Sequence, residues 1–337
     1  MAQTIYTGDT LQSIPVISHL NVSDLPVGCH QFWFSASSNA LAQNNLLPVW
    51  VFKGAKEGKR LCITAGVHGD EFNGILAAQQ CIRELQENIE NIQGTVVVVP
   101  IVNLSGVLHH HRDFFSSDLD LSSINLNRYF PGNKNGNAAE QYLAAIWSHL
   151  LHPNADLAID LHTQTSGTCY PLYVFADYRL SDAVTMARLI EPDVILDDPG
   201  AEGVLETVWN QHQIPSITIE VGCGRITELE FIERAVNGIW RVLEQYNIAV
   251  TEEREEPIRS ALIEGKEVTS IRALTGGFII PQVTLLEKVE AEQLVAIQYD
   301  IFGQEAHRYY APKEGIVLSF NIESLREVGS LVVRLIH

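Results

Sequence analysis

The chain is short of positive charge. Its 337 residues carry 22 Lys+Arg against 41 Asp+Glu, a formal net charge of −19. Nucleic-acid phosphates need basic surface, so this balance argues against a nucleic-acid partner. It still leaves room for a small anionic substrate, because a few arginines make one pocket locally positive. Paired cysteines are absent too: Cys29, Cys62, Cys81, Cys169 and Cys223 form no Cys-x-x-Cys motif. An odd, scattered set fits reduced, mostly buried thiols and a cytoplasmic location. No run reaches the ~20 apolar residues of a membrane helix, so no membrane partner is expected. The first ten residues lack a basic segment followed by an apolar one and do not read as a signal peptide. There is no internal repeat and no low-complexity segment. Ser166-Gly167 lacks the flanking glycines of a nucleophile elbow, which argues against a serine hydrolase.

What is present is the composition of an ordinary globular protein, 46% hydrophobic and 19% charged. The length suits one large domain or two smaller ones. Apolar runs at 61–65, 95–102, 155–161, 172–175 and 216–221 predict strands. Between and after them, 72–85, 138–150, 181–190, 205–212 and 228–246 predict helices. Short apolar strands without alternation imply a sheet buried on both faces. The expectation is an α/β fold: a mixed, largely parallel sheet with helices on both faces. The charged run Glu252-Glu253-Arg254-Glu255-Glu256-Pro257 reads as a domain linker, with a solvated helix end as the alternative. Beyond it, turn signals at Gly276-Gly277 and Pro312-Lys313-Glu314-Gly315 alternate with β-rich runs, which predicts a small C-terminal all-β domain. The expected division is residues 1–250 (core about 45–247) and 257–337, with the β domain shaping the pocket entrance.

His68 and Glu71 lie three positions apart directly after the 61–65 run. They fall at the carboxyl end of a strand, where open α/β sheets place ligands. The 155–161 run leads into Asp160-Leu161-His162 in the same way. Two imidazoles and one carboxylate make a catalytic zinc set with the fourth position left for water. A lone His-x-x-Glu or Asp-x-His is a weak signal; their joint placement at strand ends is what counts. Glu220 sits inside the apolar run 216–222. A buried acid there is costly unless paired or functional, so it reads as either an ion pair with an arginine or a working carboxylate. The Pro131-Gly132 turn places Asn127 and Arg128 on a loop near the strand ends. Arginine suits bidentate recognition of a carboxylate, and a neighbouring amide adds a donor. Arg112 is a second cation; for both arginines the plain alternative is a surface position. His109-His110-His111 reads as a loop, because three consecutive histidines cannot all face one ion.

Four motifs in order, His68-Gly69-Asp70-Glu71, Asn127-Arg128-Tyr129-Phe130-Pro131-Gly132, Asp160-Leu161-His162-Thr163 and Ile219-Glu220-Val221-Gly222, carry a resemblance. Over residues 61–224 the chain resembles the succinylglutamate desuccinylase/aspartoacylase branch of the zinc carboxypeptidase superfamily. The resemblance implies a zinc carboxypeptidase-like fold with one Zn2+ per chain, held by His68, Glu71 and His162. It implies Glu220 as the general base that activates water, Arg112 as the group polarising the scissile carbonyl, and Asn127 and Arg128 as the grip on a substrate carboxylate. Asp160 would accept a hydrogen bond from His162, whose face it shares by the period of a strand. The implied activity is a zinc-dependent amidohydrolase that removes the acyl group of a small anionic N-acyl amino acid. Two alternatives stand beside it: a zinc metallocarboxypeptidase or peptide amidase, and a non-catalytic ligand-binding relative. A homo-oligomer is left open. The chain departs from the pattern in having Asp70 where asparagine is usual. It also has Asn210-Gln211-His212-Gln213 where aspartoacylase-like members carry an arginine. A second substrate carboxylate then has no partner, unless Arg225 supplies one.

Overall fold

A computed structural model describes residues 3–118, 120–250 and 262–337. The charged run at 252–257 lies outside the described residues. The main sheet is built from β1 (Ile5–Leu11), β2 (Ile14–His19), β3 (Gly28–Ser38), β4 (Asn44–Lys53), β5 (Arg60–Ala65), β6 (Thr95–Val99) and β7 (Leu157–Gln164). After the short β8 (Thr168–Cys169) it continues with β9 (Leu172–Ala176), β10 (Val194–Asp197), β11 (Ser216–Cys223) and β12 (Ile263–Gly265). Its order is β1-β2-β3-β4-β6-β5-β7-β11-β9-β10-β12. The central strands β6, β5, β7 and β11 are parallel, and β9 runs antiparallel to β11. This is the mixed sheet that the short apolar runs imply. The three strands before residue 40 extend it beyond the expected core, and β4 docks antiparallel on β6.

The helices are α1 (Phe72–Glu87), α2 (Leu104–Leu108), α3 (Ala138–Ile146), α4 (Ser181–Ile190), α5 (Leu205–Gln211) and α6 (Leu229–Gln245). The predicted helix at 138–150 is α-helical only to Ile146 and ends in a wider turn over Trp147–Leu151. The predicted strand at 95–102 stops at Val99, where the chain turns toward α2.

Alternation along the central strands sorts the two faces. Leu61, Ile63, Leu157, Ile159, Leu161, Ile217, Ile219 and Val221 pack into one core with α1, α4 and α6. Cys62, Val97, Val99 and Ala158 point the other way, into a core shared with α3 and α5. Side chains two apart share a face. Thr64, Asp160, His162, Thr218 and Glu220 therefore belong to the α3/α5 face, near the carboxyl ends of three adjacent parallel strands. Register brings them level: Thr64 and Thr218 both lie opposite Asp160, and Glu220 lies opposite His162.

The C-terminal strands are β13 (Val268–Arg272), β14 (Gly277–Pro281), β15 (Lys288–Val289), β16 (Leu294–Tyr299), β17 (Glu305–Tyr310), β18 (Gly315–Asn321), β19 (Leu325–Arg326) and β20 (Leu331–Ile336). They form two small sheets, β13-β20-β18-β15 and β17-β16-β14-β19, around a core that includes Ile279, Val295, Val317 and Val333. Segments cross over in both directions. β12 adds to the edge of the main sheet beside β10, and β8 pairs with β18. Arg326 also donates from Nη2 to the carbonyl of Gly167.

The contact of α1 with β7 is close. A Cβ at Gly74 would lie 2.6 Å from the carbonyl oxygen of Leu161. We therefore expect Gly74→Ala to destabilise the fold by about 1–3 kcal/mol of overpacking, offset by the ~0.5–1 kcal/mol that alanine gains in a helix. Urea denaturation measures the net change. A variant at least as stable as the parent would mean that α1 is free to shift on β7.

Candidate active site

His68 follows β5 on a turn held by backbone hydrogen bonds from Val102 to Ala65 and from Asn103 to Gly66, at 2.9 and 2.8 Å. The turn ends at Glu71, which occupies the N-cap position of α1. The unsatisfied N–H groups of a helix start favour a carboxylate there. His162 comes from β7, at the level that register sets. Ligand atoms of His68, Glu71 and His162 all lie within 4.8 Å of one another, so the cluster can hold a metal ion. All three residues are buried.

The surroundings orient each ligand. His162 Nε2 donates to Asp160 Oδ2 at 2.6 Å, and Thr64 Oγ1 donates to Asp160 Oδ1 at 2.6 Å. That fixes the ring and turns Nδ1 inward, 2.9 Å from Glu71 Oε2. Glu71 Oε2 also accepts from the backbone N–H of Thr163 at 3.0 Å, and Arg112 Nη1 sits 2.5 Å from Glu71 Oε1. His68 Nδ1 is buried with no hydrogen-bond partner. An orphaned imidazole nitrogen beside a carboxylate and an inward-facing second imidazole fits a cation held between them. Borderline ions such as zinc take this donor set.

Charge states follow the same geometry. Burial pushes the His68 imidazole down to about 3, against the pull of Glu71, so the ring stays neutral as a ligand must. Burial also opposes a charged Glu71, but His68, His162 and Arg112 outweigh it and hold that carboxyl at about 2. For His162, burial is overcome by Asp160 and Glu71 on its two nitrogens, which raise its pKa. Burial raises Glu220 to about 8 against the charge of His162. Glu220 makes no ion pair among the described residues, and its buried Oε2 has no hydrogen-bond partner. The ion-pair alternative for this acid falls away.

These groups line one cavity of about 310 Å3 together with Asn127, Arg128, Gln164, Thr165, Asp198, Glu206 and Thr218. A larger cavity of about 510 Å3 lies elsewhere, and among the described residues Asp118 alone brings a charge to its lining. Asn127 Oδ1 accepts from the backbone N–H of Leu205 at 2.8 Å, so the amide is anchored to the start of α5. Arg128 makes no ion pair among the described residues, and its Nη1 donates to the carbonyl of Asn127 at 2.6 Å. The 198–205 loop presses on this segment. Phe130 N–H donates to Gly203 O at 3.1 Å, and a Cβ at Gly203 (φ +76°) would lie 2.1 Å from the carbonyl of Arg128. Only glycine combines that close approach with a left-handed backbone.

Several residues singled out in the sequence lie away from the cavity. Arg225 does not line the cavity; it donates from Nη2 to His110 O at 2.8 Å, and its Nε lies 3.7 Å from Asp70 Oδ2. Its position three residues past the Ile219-Glu220-Val221-Gly222 motif carried no information about which way it turns. Asp70 faces Ser166, which donates to its Oδ2 at 3.0 Å, and is likewise absent from the cavity lining. No described residue beyond 250 lines the cavity; the C-terminal strands touch instead the turn behind Gln164 and Thr165, through Arg326 and Gly167. Sequence reading also passed over Thr64, Asp198 and Glu206. For Glu206 a signal existed: an acid within the apolar stretch Val204-Leu205-Glu206-Thr207-Val208-Trp209.

Comparison with known proteins agrees with this geometry. An N-alpha-acetyl-L-2,4-diaminobutyric acid deacetylase from Halomonas elongata is 25% identical over 299 residues, covering 85% of this chain and 84% of that protein. The product-bound structure of the ectoine utilization protein EutE (DoeB) from Ruegeria pomeroyi superposes with a TM-score of 0.79 at 20% identity, covering 93% of this chain and 97% of the other. A succinylglutamate desuccinylase/aspartoacylase structure from Rhodobacter sphaeroides gives 0.78 at 20% identity, covering 93% and 98%. These solved structures share the fold. The succinylglutamate desuccinylase/aspartoacylase catalytic domain matches residues 57–246. With more than half of its length matched, the chain belongs to the succinylglutamate desuccinylase/aspartoacylase family.

Proposed function

We propose that the chain removes the acyl group from a small N-acyl amino acid, with Zn2+ held by His68, Glu71 and His162. Family membership makes it a hydrolase of carbon–nitrogen bonds outside peptides. The observation that carries the finer reading is the orphaned, buried His68 Nδ1, which faces a site shared with Glu71 and His162. When bound, the ion supplies Lewis acidity and lowers the pKa of water toward ~7. In this reading Glu220 takes the proton as water adds to the amide carbonyl, then delivers it to the leaving nitrogen as the C–N bond breaks. A buried carboxylate with a free oxygen in the same cavity supports that role. Asp160 keeps His162 Nδ1 turned inward. Arg112 balances Glu71, and its remaining N–H groups would steady the carbonyl oxygen. Arg128 and the amide of Asn127 would receive the substrate carboxylate. The named activity of the Halomonas elongata relative, a deacetylase of an N-acetylated amino acid, supports the reaction class. A cavity of about 310 Å3 stands at the small end of ligand sites and favours an amino-acid derivative over a peptide.

The division into a hydrolase domain (residues 1–250) and a β domain (257–337) and a cytoplasmic location belong to the same proposal. Among the described residues no helix is long and apolar enough to cross a membrane.

Two tests follow. Metal analysis of His68→Ala and His162→Ala should find well under one zinc per chain, against about one in the parent. Full occupancy in both variants would refute the ligand set. Glu220→Gln should keep its zinc and lose about 10²–10⁴-fold in kcat, the usual cost of removing a general base. Arg128→Ala should chiefly raise KM, and should penalise an N-acyl amino acid far more than its carboxamide. Unchanged kcat in zinc-loaded Glu220→Gln would end its assignment as the base. Equal losses on acid and carboxamide would end that of Arg128 as the clamp.

A further inference from the structure

We infer that the cavity selects a cationic side chain: Glu206, with Asp198, binds the side-chain ammonium of an Nα-acyl diamino acid whose α-carboxylate rests on Arg128. The inference deepens the amidohydrolase reading and rests on it. Glu206 lines the cavity from the first turn of α5 and is 4% exposed. Thr218 Oγ1 donates to its Oε2 at 3.0 Å. No lysine, arginine or histidine pairs with it among the described residues. A carboxylate taken out of water without a cation is strongly disfavoured, so this acid stays protonated unless a counter-charge enters from outside the chain. Burial first, then the nearby negative charges of Asp198, Asp160 and Asp177, pushes its pKa well above the usual carboxylate range, with only the Thr218 hydrogen bond opposing. An ammonium brought beside it would favour the charged form and gain a charge-assisted hydrogen bond.

The other cavity charges are accounted for. Glu71 is taken by Arg112 and His162, and Glu220 is placed opposite His162 for proton transfer. Asp160 is tied to His162 and Thr64. What remains is a dipolar pair: Arg128 on one segment, and Glu206 with Asp198 on the other. The two segments are clamped together at Gly203, where the Phe130 N–H reaches its carbonyl. A zwitterionic amino-acid frame, carboxylate on one side and ammonium on the other, matches that pair. The alternative of a second substrate carboxylate meets no cation. Asn210, on the same helix, is spent on the backbone N–H of Ser216 at 2.8 Å, and Arg225 is turned toward Asp70.

The test uses full-length zinc-loaded protein and Nα-acetyl derivatives of L-ornithine, L-norvaline and L-glutamate, which share a similar reach but differ in side-chain charge. The parent should prefer the ornithine derivative over the norvaline one by about 10-fold or more in kcat/KM, as a charge-assisted hydrogen bond predicts, with the glutamate derivative poorest. Glu206→Gln should lose about 10–100-fold on the ornithine derivative, mostly in KM, and less than about 3-fold on the norvaline one. Calorimetry with free L-ornithine and L-norvaline reads the same contrast without turnover. A parent that prefers norvaline or glutamate overturns the inference and leaves the amidohydrolase reading standing. So does a Glu206→Gln variant that loses equally on both substrates, which would make Glu206 structural. If none of the three is cleaved and neither amino acid binds, both readings fall together. The parent's own ranking decides the matter even if the variant does not fold.

Discussion

A single imidazole lies between two buried carboxylates, with Asp160 on one nitrogen and Glu71 on the other. Removing charges from water costs several kcal/mol per ion unless every lone pair finds a partner. Here Thr64, the Thr163 N–H and Arg112 supply those partners from three separate parts of the chain. The arrangement holds only while β5 and β7 keep their register and α1 starts where it does. A one-residue slip of β7 would turn His162 and Asp160 together from the α3/α5 face to the α1 face and take the imidazole away from Glu71. The close packing of Gly74 on the β7 backbone opposes such a slip. The metal centre and the sheet register are thus one constraint seen from two sides.

The centre stands on β7 and the turn after β5, whereas the far side of the cavity is built from connecting segments and the start of α5. Arg128, Asp198 and Glu206 come from the 124–132 and 198–206 segments, which lie against each other over the strand ends. This separation suits a family in which one hydrolytic centre meets different acylated amino acids. The C-terminal strands stand one layer further out. They exchange β8 and β12 with the main sheet and brace the turn at Gly167, next to Gln164 and Thr165 of the cavity.

Much of this was legible locally. His68 and Glu71 sit three apart across one turn, and Asp160 and His162 two apart on one strand, so short-range geometry already relates the members of each pair. Glu220 stood out because an acid inside an apolar strand needs a reason. The runs behind β5, β7 and β11 are apolar on both faces, which marks a central sheet. The β-rich turns after 262 marked the C-terminal sheets in the same way.

What tertiary structure alone decided is everything that joins residues far apart in sequence. Thr64 and Asp160 are 96 positions apart and meet through strand register, which no local pattern encodes. Arg225 follows the β11 motif closely, yet the left-handed turn at that residue (φ +66°) and the carbonyl of His110 draw it away from the cavity. Glu206 reads as one acid in a helix until α5 is laid over the functional face, where no cation among the described residues pairs with it. The order of the main sheet and the pairing of residues 168–169 with 320–321 are likewise contacts between distant segments. Side-chain chemistry and its short-range spacing were written in the sequence. Which charges face one another was set by packing, because burial makes each charge depend on neighbours that only the fold assembles.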